Sequence, residues 1–281
     1  MSPTASQPVR VMGVLNVTPD SFSDGGRFAD LEAATLQARR LIIDGAAILD
    51  VGGESTRPGA EPVSEADEIE RVIPLIRALR KESAIPISVD TMKPAVARAA
   101  VEAGATIWND VTALRHSPDS LAVAAELGCE VVLMHMQGEP GTMQAEPHYG
   151  DVVEEVAAFL ARRAAEAMAA GVAQDRIWLD PGVGFGKHMI RHNLPLLAGL
   201  PRIVALGFPV LLGVSRKSFI GALDENAAAD QRLGGSIAAA LAGASAGVAA
   251  VRAHDVRETV QALRIWEAIA QAGRVQSDSL G

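Results

Sequence analysis

Eight polar or ionisable residues stand at or just past the ends of eight short apolar runs: Asn16, Asp50, Asp90, Asn109, His135, Asp180, Ser215 and His254. Brought to one face, such ends would build an active site. Two of the segments that follow them could contact a ligand. Asn16-Val17-Thr18-Pro19-Asp20-Ser21-Phe22-Ser23-Asp24-Gly25-Gly26 is rich in turn formers and hydroxyls, and reads either as a long surface loop or as a lid. In Asp50-Val51-Gly52-Gly53-Glu54-Ser55-Thr56-Arg57-Pro58-Gly59, the glycine pair lets backbone approach a ligand closely. Arg57 in the same segment can grip a phosphate through two nitrogens; a Gly-rich turn with a solvated Arg is the plainer alternative.

The elements that must carry these residues alternate along the chain. Strands are expected at Val11–Val17, Ala47–Val51, Ile85–Val89, Thr106–Trp108, Glu130–Met134, Ile177–Leu179, Val210–Val214 and Ala249–Val251. All are short and apolar, as strands buried on both faces should be. Helical periodicity fills the gaps. Ile69, Val72, Ile73, Ile76 and Leu79 share one face of a helix over Ser64–Lys81, although Pro74 interrupts it. Asp151–Ala170 reads as another helix, stopped by Gly171. Strand–helix alternation through 281 residues predicts a single (β/α)₈ TIM barrel, an α/β fold, as one domain with tails at 1–10 and about 273–281. An open doubly wound sheet would gather polar strand ends chiefly at its switch point, not at all eight.

Composition narrows the function classes. The net charge is −9, which argues against nucleic acid as a partner. No window has the apolar length of a membrane span, Met1–Arg10 carries no apolar stretch long enough for a signal peptide, and the single cysteine, Cys129, reads as a buried hydrophobe. A cytoplasmic protein without disulfides is expected. No His, Cys and carboxylate spacing suggests a zinc site.

The two loops resemble the two signatures of the dihydropteroate synthase family, the targets of sulfonamide drugs. The likeness continues through Ser88-Val89-Asp90-Thr91, Trp108-Asn109-Asp110-Val111, Leu133-Met134-His135-Met136-Gln137-Gly138 and Asp180-Pro181-Gly182-Val183-Gly184-Phe185-Gly186-Lys187. It ends with Gly213-Val214-Ser215-Arg216-Lys217-Ser218-Phe219-Ile220 and Val251-Arg252-Ala253-His254-Asp255-Val256, so it spans about Val11 to Trp266.

The resemblance implies condensation of 7,8-dihydropterin-6-ylmethyl diphosphate with p-aminobenzoate. On this reading Asp180 pairs with the guanidine-like edge of the pterin, Asn109 meets the ring nitrogens, and Lys217 reaches the pterin carbonyl. Asp90 lies where positive charge develops once diphosphate departs, while Val111, Met134, Phe185 and Gly213 surround the ring. Asn16, Thr56, Arg57, Arg252 and His254 would surround the diphosphate, with Asn16 as the protein's ligand to Mg²⁺. Phe22, Thr56, Pro58, Phe185, Lys217 and Ser218 would form the p-aminobenzoate pocket, Ser218 at a helix N-terminus. Asp90, Lys217, Arg57 and Asn16 are the expected catalytic residues, the route is dissociative with ordered loop closure, and the assembly is a homodimer. His135 is read as structural.

Val183 stands where Phe is common in the family and Ala253 where Thr is common; Leu233-Gly234-Gly235-Ser236 matches only in part. A pterin-binding methyltransferase serving a cobalamin protein would share Asp90, Asn109 and Asp180. It would have no use for a diphosphate clamp or the Thr56–Gly59 loop. A barrel that binds pterin without catalysis would be expected to have lost loop one, Lys217 or the Arg252/His254 pair, and a sugar-phosphate enzyme would need a clearer glycine-rich phosphate loop after strands seven and eight.

Overall fold

The computed structural model describes residues 8–17, 26–55, 61–138, 143 and 146–278. Strand and helix alternate through β1 (Arg10–Asn16), α1 (Gly26–Ile43), β2 (Ile48–Gly52), α2 (Glu65–Glu82), β3 (Ile87–Asp90) and α3 (Pro94–Ala103). They continue through β4 (Ile107–Asp110), α4 (Ser120–Leu127), β5 (Glu130–Met134), α5 (Val152–Ala169) and β6 (Ile177–Asp180). After the short α6 (Asn193–Ala198) and α7 (Leu200–Val204) come β7 (Leu211–Gly213), α8 (Ser218–Leu223), α9 (Leu233–Ala246), β8 (Ala250–Ala253) and α10 (Val256–Asp278).

The strands form one eight-stranded parallel sheet in the order β6-β5-β4-β3-β2-β1-β8-β7. Its two edges meet at a parallel bridge between Leu179 and Val210, which nearly closes a (β/α)₈ barrel. The expected helix over 64–81 runs unbroken through Pro74. Pro74 lies on the exposed face, where solvent can replace the hydrogen bond its ring removes. Ser64 caps that helix by accepting from the Asp67 N–H at 3.1 Å, and Asp151 caps α5 through the Val153 and Glu154 N–H groups. α10 continues to Asp278, its one glycine being outweighed by good helix formers. Arg10, expected in the N-terminal tail, already belongs to β1.

Side chains alternate along each strand, and this period of two places the site. Outward residues such as Leu49, Val51, Val131, Leu133, Ile177 and Leu179 pack into the main core beneath the helices. The inward Met12, Ile48, Ile107, Val132, Trp178, Leu211 and Ala250 form a separate apolar plug inside the barrel. Arg10 covers the Trp178 ring at 4.5 Å. Two residues further along five of these strands stand Asp50, Asn109, Met134, Asp180 and Arg252, with Asp90 in register between Gly52 and Asn109. The plug therefore carries the polar layer above it.

Candidate active site

The polar layer is linked by charge. Arg252 on β8 points its Nε at Asp50 Oδ2, 2.6 Å away, and its Nη2 at Asp90 Oδ2, 2.9 Å away. Asn109 directs its amide Nδ2 to both Asp50 oxygens at 3.4 Å. Asp50 is fully buried. It connects two expected site residues, Asn109 and Arg252, yet sequence reasoning placed it only among the strand ends; the missing signal was its partners, 59 and 202 residues away.

Asp90 has one buried oxygen, Oδ1, with no hydrogen-bond partner among the described residues. Burial first, and the negative charge of Asp50 second, push its carboxyl up to about 7, against the pull of Arg252. Such a group gains most from a cation beside it.

Asn16, Gly52 and Asp90 stand side by side across β1, β2 and β3. A Cβ at Gly52 would lie 3.5 Å from both Asn16 Oδ1 and Asp90 Cβ, so the missing side chain leaves room between an amide oxygen and a carboxylate. Among the described residues no group of three or more His, Cys, Asp or Glu could hold a metal ion. One hard oxygen donor fits Mg²⁺, which keeps several waters and takes substrate phosphate oxygens.

Across the barrel mouth, Asp180 is buried and its carboxyl is raised by that burial, offset by the Gly182 hydrogen bond and the charge of Lys217. Its Oδ1 accepts from the Gly182 N–H at 2.7 Å, which fixes the plane of the carboxylate while leaving further lone pairs. Gly213 opposes Oδ2 and keeps that side open, a Cβ there falling 4.0 Å away. Lys217 immediately precedes α8, and its Nζ lies 4.1 Å from the centre of the Phe185 ring. Burial lowers its ammonium to about 8, with Asp180 opposing. Phe185 packs against an apolar cluster of Val111, Met134, Met136, Met143 and Met92. Met92 and Met136 were legible as the residues two beyond Asp90 and Met134; Met143 carried no such signal.

His254 meets Ser215 twice: its N–H donates to Oγ at 3.1 Å, and ring Nδ1 lies 3.0 Å from the same oxygen. In the tautomer that carries its proton on Nε2, the ring accepts from Oγ at Nδ1 and offers Nε2 as a donor suited to an anionic oxygen. Ser218 is the first residue of α8 and is exposed. Val183 and Ala253, the two departures from the family pattern, are both buried. Phe22, Thr56, Arg57 and Pro58 lie outside the described residues.

A polar ring over an apolar plug, flanked by a flat apolar wall, defines a barrel that takes a planar, hydrogen-bonding ligand at the C-terminal ends of its strands. Residues 12–254 match the family described as pterin binding enzymes. The dihydropteroate synthase of Escherichia coli strain K12 is 49% identical over 262 residues, covering 93% of this chain and 92% of its own. That of Xanthomonas albilineans, solved with 4-aminobenzoic acid, superposes with a TM-score of 0.88 at 51% identity, covering 94% of each chain. Its complex with 7,8-dihydropteroate gives 0.85 at 48%, again covering 94% of each. The chain belongs to the pterin-binding enzyme family and, within it, to the dihydropteroate synthases.

Proposed function

We propose that this chain condenses 7,8-dihydropterin-6-ylmethyl diphosphate with p-aminobenzoate, giving 7,8-dihydropteroate and diphosphate. The observation that carries the reading is a buried, plane-locked Asp180 within the electrostatic reach of Lys217, which lies over Phe185, opposite the Asp50–Arg252–Asp90 chain. Asp180 can accept two parallel hydrogen bonds from a guanidine-like ring edge. Lys217 can donate to the ring carbonyl, and Asn109 can donate and accept beside the ring nitrogens. The 4-aminobenzoic acid and 7,8-dihydropteroate in the Xanthomonas albilineans relatives support the same substrate class.

In this reading the ring's exocyclic C–O bond breaks first. The electron pair leaves with diphosphate, the pterin carries the positive charge, and Asp90 stabilises it. Mg²⁺ bound by Asn16 would neutralise charge on the leaving group. Arg57, Arg252 and His254 would hold the same anion. The p-aminobenzoate nitrogen then attacks the cation and loses a proton. Phe22, Thr56, Pro58, Phe185, Lys217 and Ser218 form the second pocket once the diphosphate is in place. Inhibition by sulfonamides follows from mimicry of p-aminobenzoate. We also place the protein in the cytoplasm as a homodimer; a buried lone Cys129 and the absence, among the described residues, of any helix long and apolar enough to cross a membrane are compatible with that location.

Calorimetry with pterin diphosphate, Mg²⁺ and p-aminobenzoate separates catalysis from binding. An enzyme gives heat that continues with turnover until substrate is consumed. A barrel that only binds pterin gives heat that ends at saturation, and that result would overturn the proposal.

A further inference from the structure

Lys187 is among the largest fully buried side chains of the protein, and the reaction described above makes no use of it. Its Nζ meets the Gly182 carbonyl at 2.9 Å, the Phe185 carbonyl at 3.0 Å, the His135 carbonyl at 3.4 Å and His135 Nδ1 at 2.9 Å. These partners are three backbone oxygens and one ring nitrogen. The ammonium thus sits as a metal ion would in a cage of carbonyls.

The cage belongs to the loop that shapes half of the pocket. Between Asp180 and Lys187 the chain turns through left-handed positions at Gly182, Gly184 and Gly186. A Cβ at Gly182 would fall 1.9 Å from the His135 oxygen, and one at Gly186 would fall 2.2 Å from the Gln137 oxygen, so the loop backbone lies directly on the segment after β5. A turn this tight aims carbonyls inward, and buried carbonyls need donors. Gly182 O accepts from the Phe185 N–H at 3.0 Å and from Lys187, which ties the Phe185 end of the loop to the Asp180 end. His135 supplies Nδ1 only as an acceptor, so its proton is on Nε2. Burial, with the neighbouring ammonium, drives that imidazole down to about 2 and keeps it neutral. Burial also lowers Lys187 to about 7, with Asp180 opposing.

We propose that Lys187 is a positioning residue for the pterin pocket: its ammonium is an internal cation that holds the 181–186 loop in the shape that orients Asp180 and lays Phe185 beside Lys217. The inference rests on the reading of Asp180 and Phe185 as pterin-binding. Loss of the ammonium takes this donor from the Phe185 and His135 carbonyls and leaves the Gly182 carbonyl with the Phe185 N–H, and the loop must open to hydrate them.

The test is calorimetric binding of 6-hydroxymethylpterin to the full chain. Lys187→Met keeps an unbranched side chain one atom shorter and removes the charge; with the fold intact by circular dichroism, its affinity should fall about tenfold or more, as expected when buried acceptors lose their donor. Lys187→Gly opens the cage. Ammonium or methylammonium chloride should restore part of its pterin affinity, whereas tetramethylammonium chloride, too large for the cage, should not. A folded Lys187→Met protein that binds as wild type overturns the proposal. So does a Lys187→Gly protein indifferent to the small cations, which also decides the matter if Lys187→Met does not fold. Wild-type binding is the control: if it is absent, the pterin-site reading fails, whereas equal binding by wild type and variant removes only the role of Lys187.

Discussion

Arg252 and Asp50 meet at 2.6 Å although 202 residues separate them in the chain, and Asp50 has no exposure to solvent. The same guanidinium also holds Asp90. One cation therefore serves two carboxylates before it serves any phosphate, and its position is set by them. Asp50→Ala leaves the part-buried Arg252 with Asp90 as its remaining carboxylate partner. Loss of one charge-assisted hydrogen bond of this kind typically costs about 1.5–3 kcal/mol. Urea denaturation should show a loss of that order, and turnover should fall with it. An unchanged midpoint would mean that solvent already screens this pair.

Asp180 should matter to ring recognition itself. Asp180→Asn replaces two charged acceptor oxygens by an amide with one acceptor atom and a donor, at a cost of about 1.5–3 kcal/mol in the affinity for 6-hydroxymethylpterin. Titration of the folded variant measures this. Retention of wild-type affinity would remove Asp180 from the pterin site.

The β/α alternation was legible from sequence because strands buried on both faces are short apolar runs, and β5 falls at the expected Glu130–Met134. Asp180, Lys217 and Phe185 could be assigned roles because they lie in motifs with the family's spacing. What stayed hidden was how they are held. Asp50 looks like any other strand end until Arg252 is seen against it, and no local pattern reports an ion pair between β2 and β8. Lys187 likewise follows a glycine in a loop, and no local pattern reports its burial, because that depends on carbonyls of Gly182, Phe185 and His135 folding around it. Pro74 misled in the opposite direction: a helix-breaking residue is tolerated where its missing N–H faces water.

The raised Asp90 carboxyl gives a pH signature. The ordinary value is 3.8 and the folded value about 7, so between these limits the folded protein binds a proton that the unfolded chain has released. Stability from this group is present at low pH and is lost as pH rises through that window. Asp90→Asn cannot ionise. Its melting temperature relative to wild type should therefore rise between about pH 4 and about pH 7 and level off above, while kcat falls by about 10²–10³ through loss of the cation's electrostatic partner. Parallel melting profiles across that range would show that Asp90 is ionised in the folded protein throughout.

Order of binding is a separate expectation. The p-aminobenzoate pocket draws on residues that follow the Asn16 and Gly52–Gly53 strand ends, so it should be complete only around Mg²⁺ and diphosphate. Calorimetric titration should give weak or no p-aminobenzoate binding to the protein alone and clear binding once pterin, Mg²⁺ and pyrophosphate are present. Equal affinity under both conditions would exclude an ordered mechanism without touching the reaction assigned.

The reaction itself is tested most directly by incubating the purified protein with pterin diphosphate, Mg²⁺ and radiolabelled p-aminobenzoate, then separating the products. The account predicts that label moves into 7,8-dihydropteroate in step with release of diphosphate, one for one, and that Asp90→Asn protein nearly abolishes both. Label that stays in p-aminobenzoate while the wild-type protein still binds pterin would contradict the account and leave a pterin-binding barrel without this chemistry.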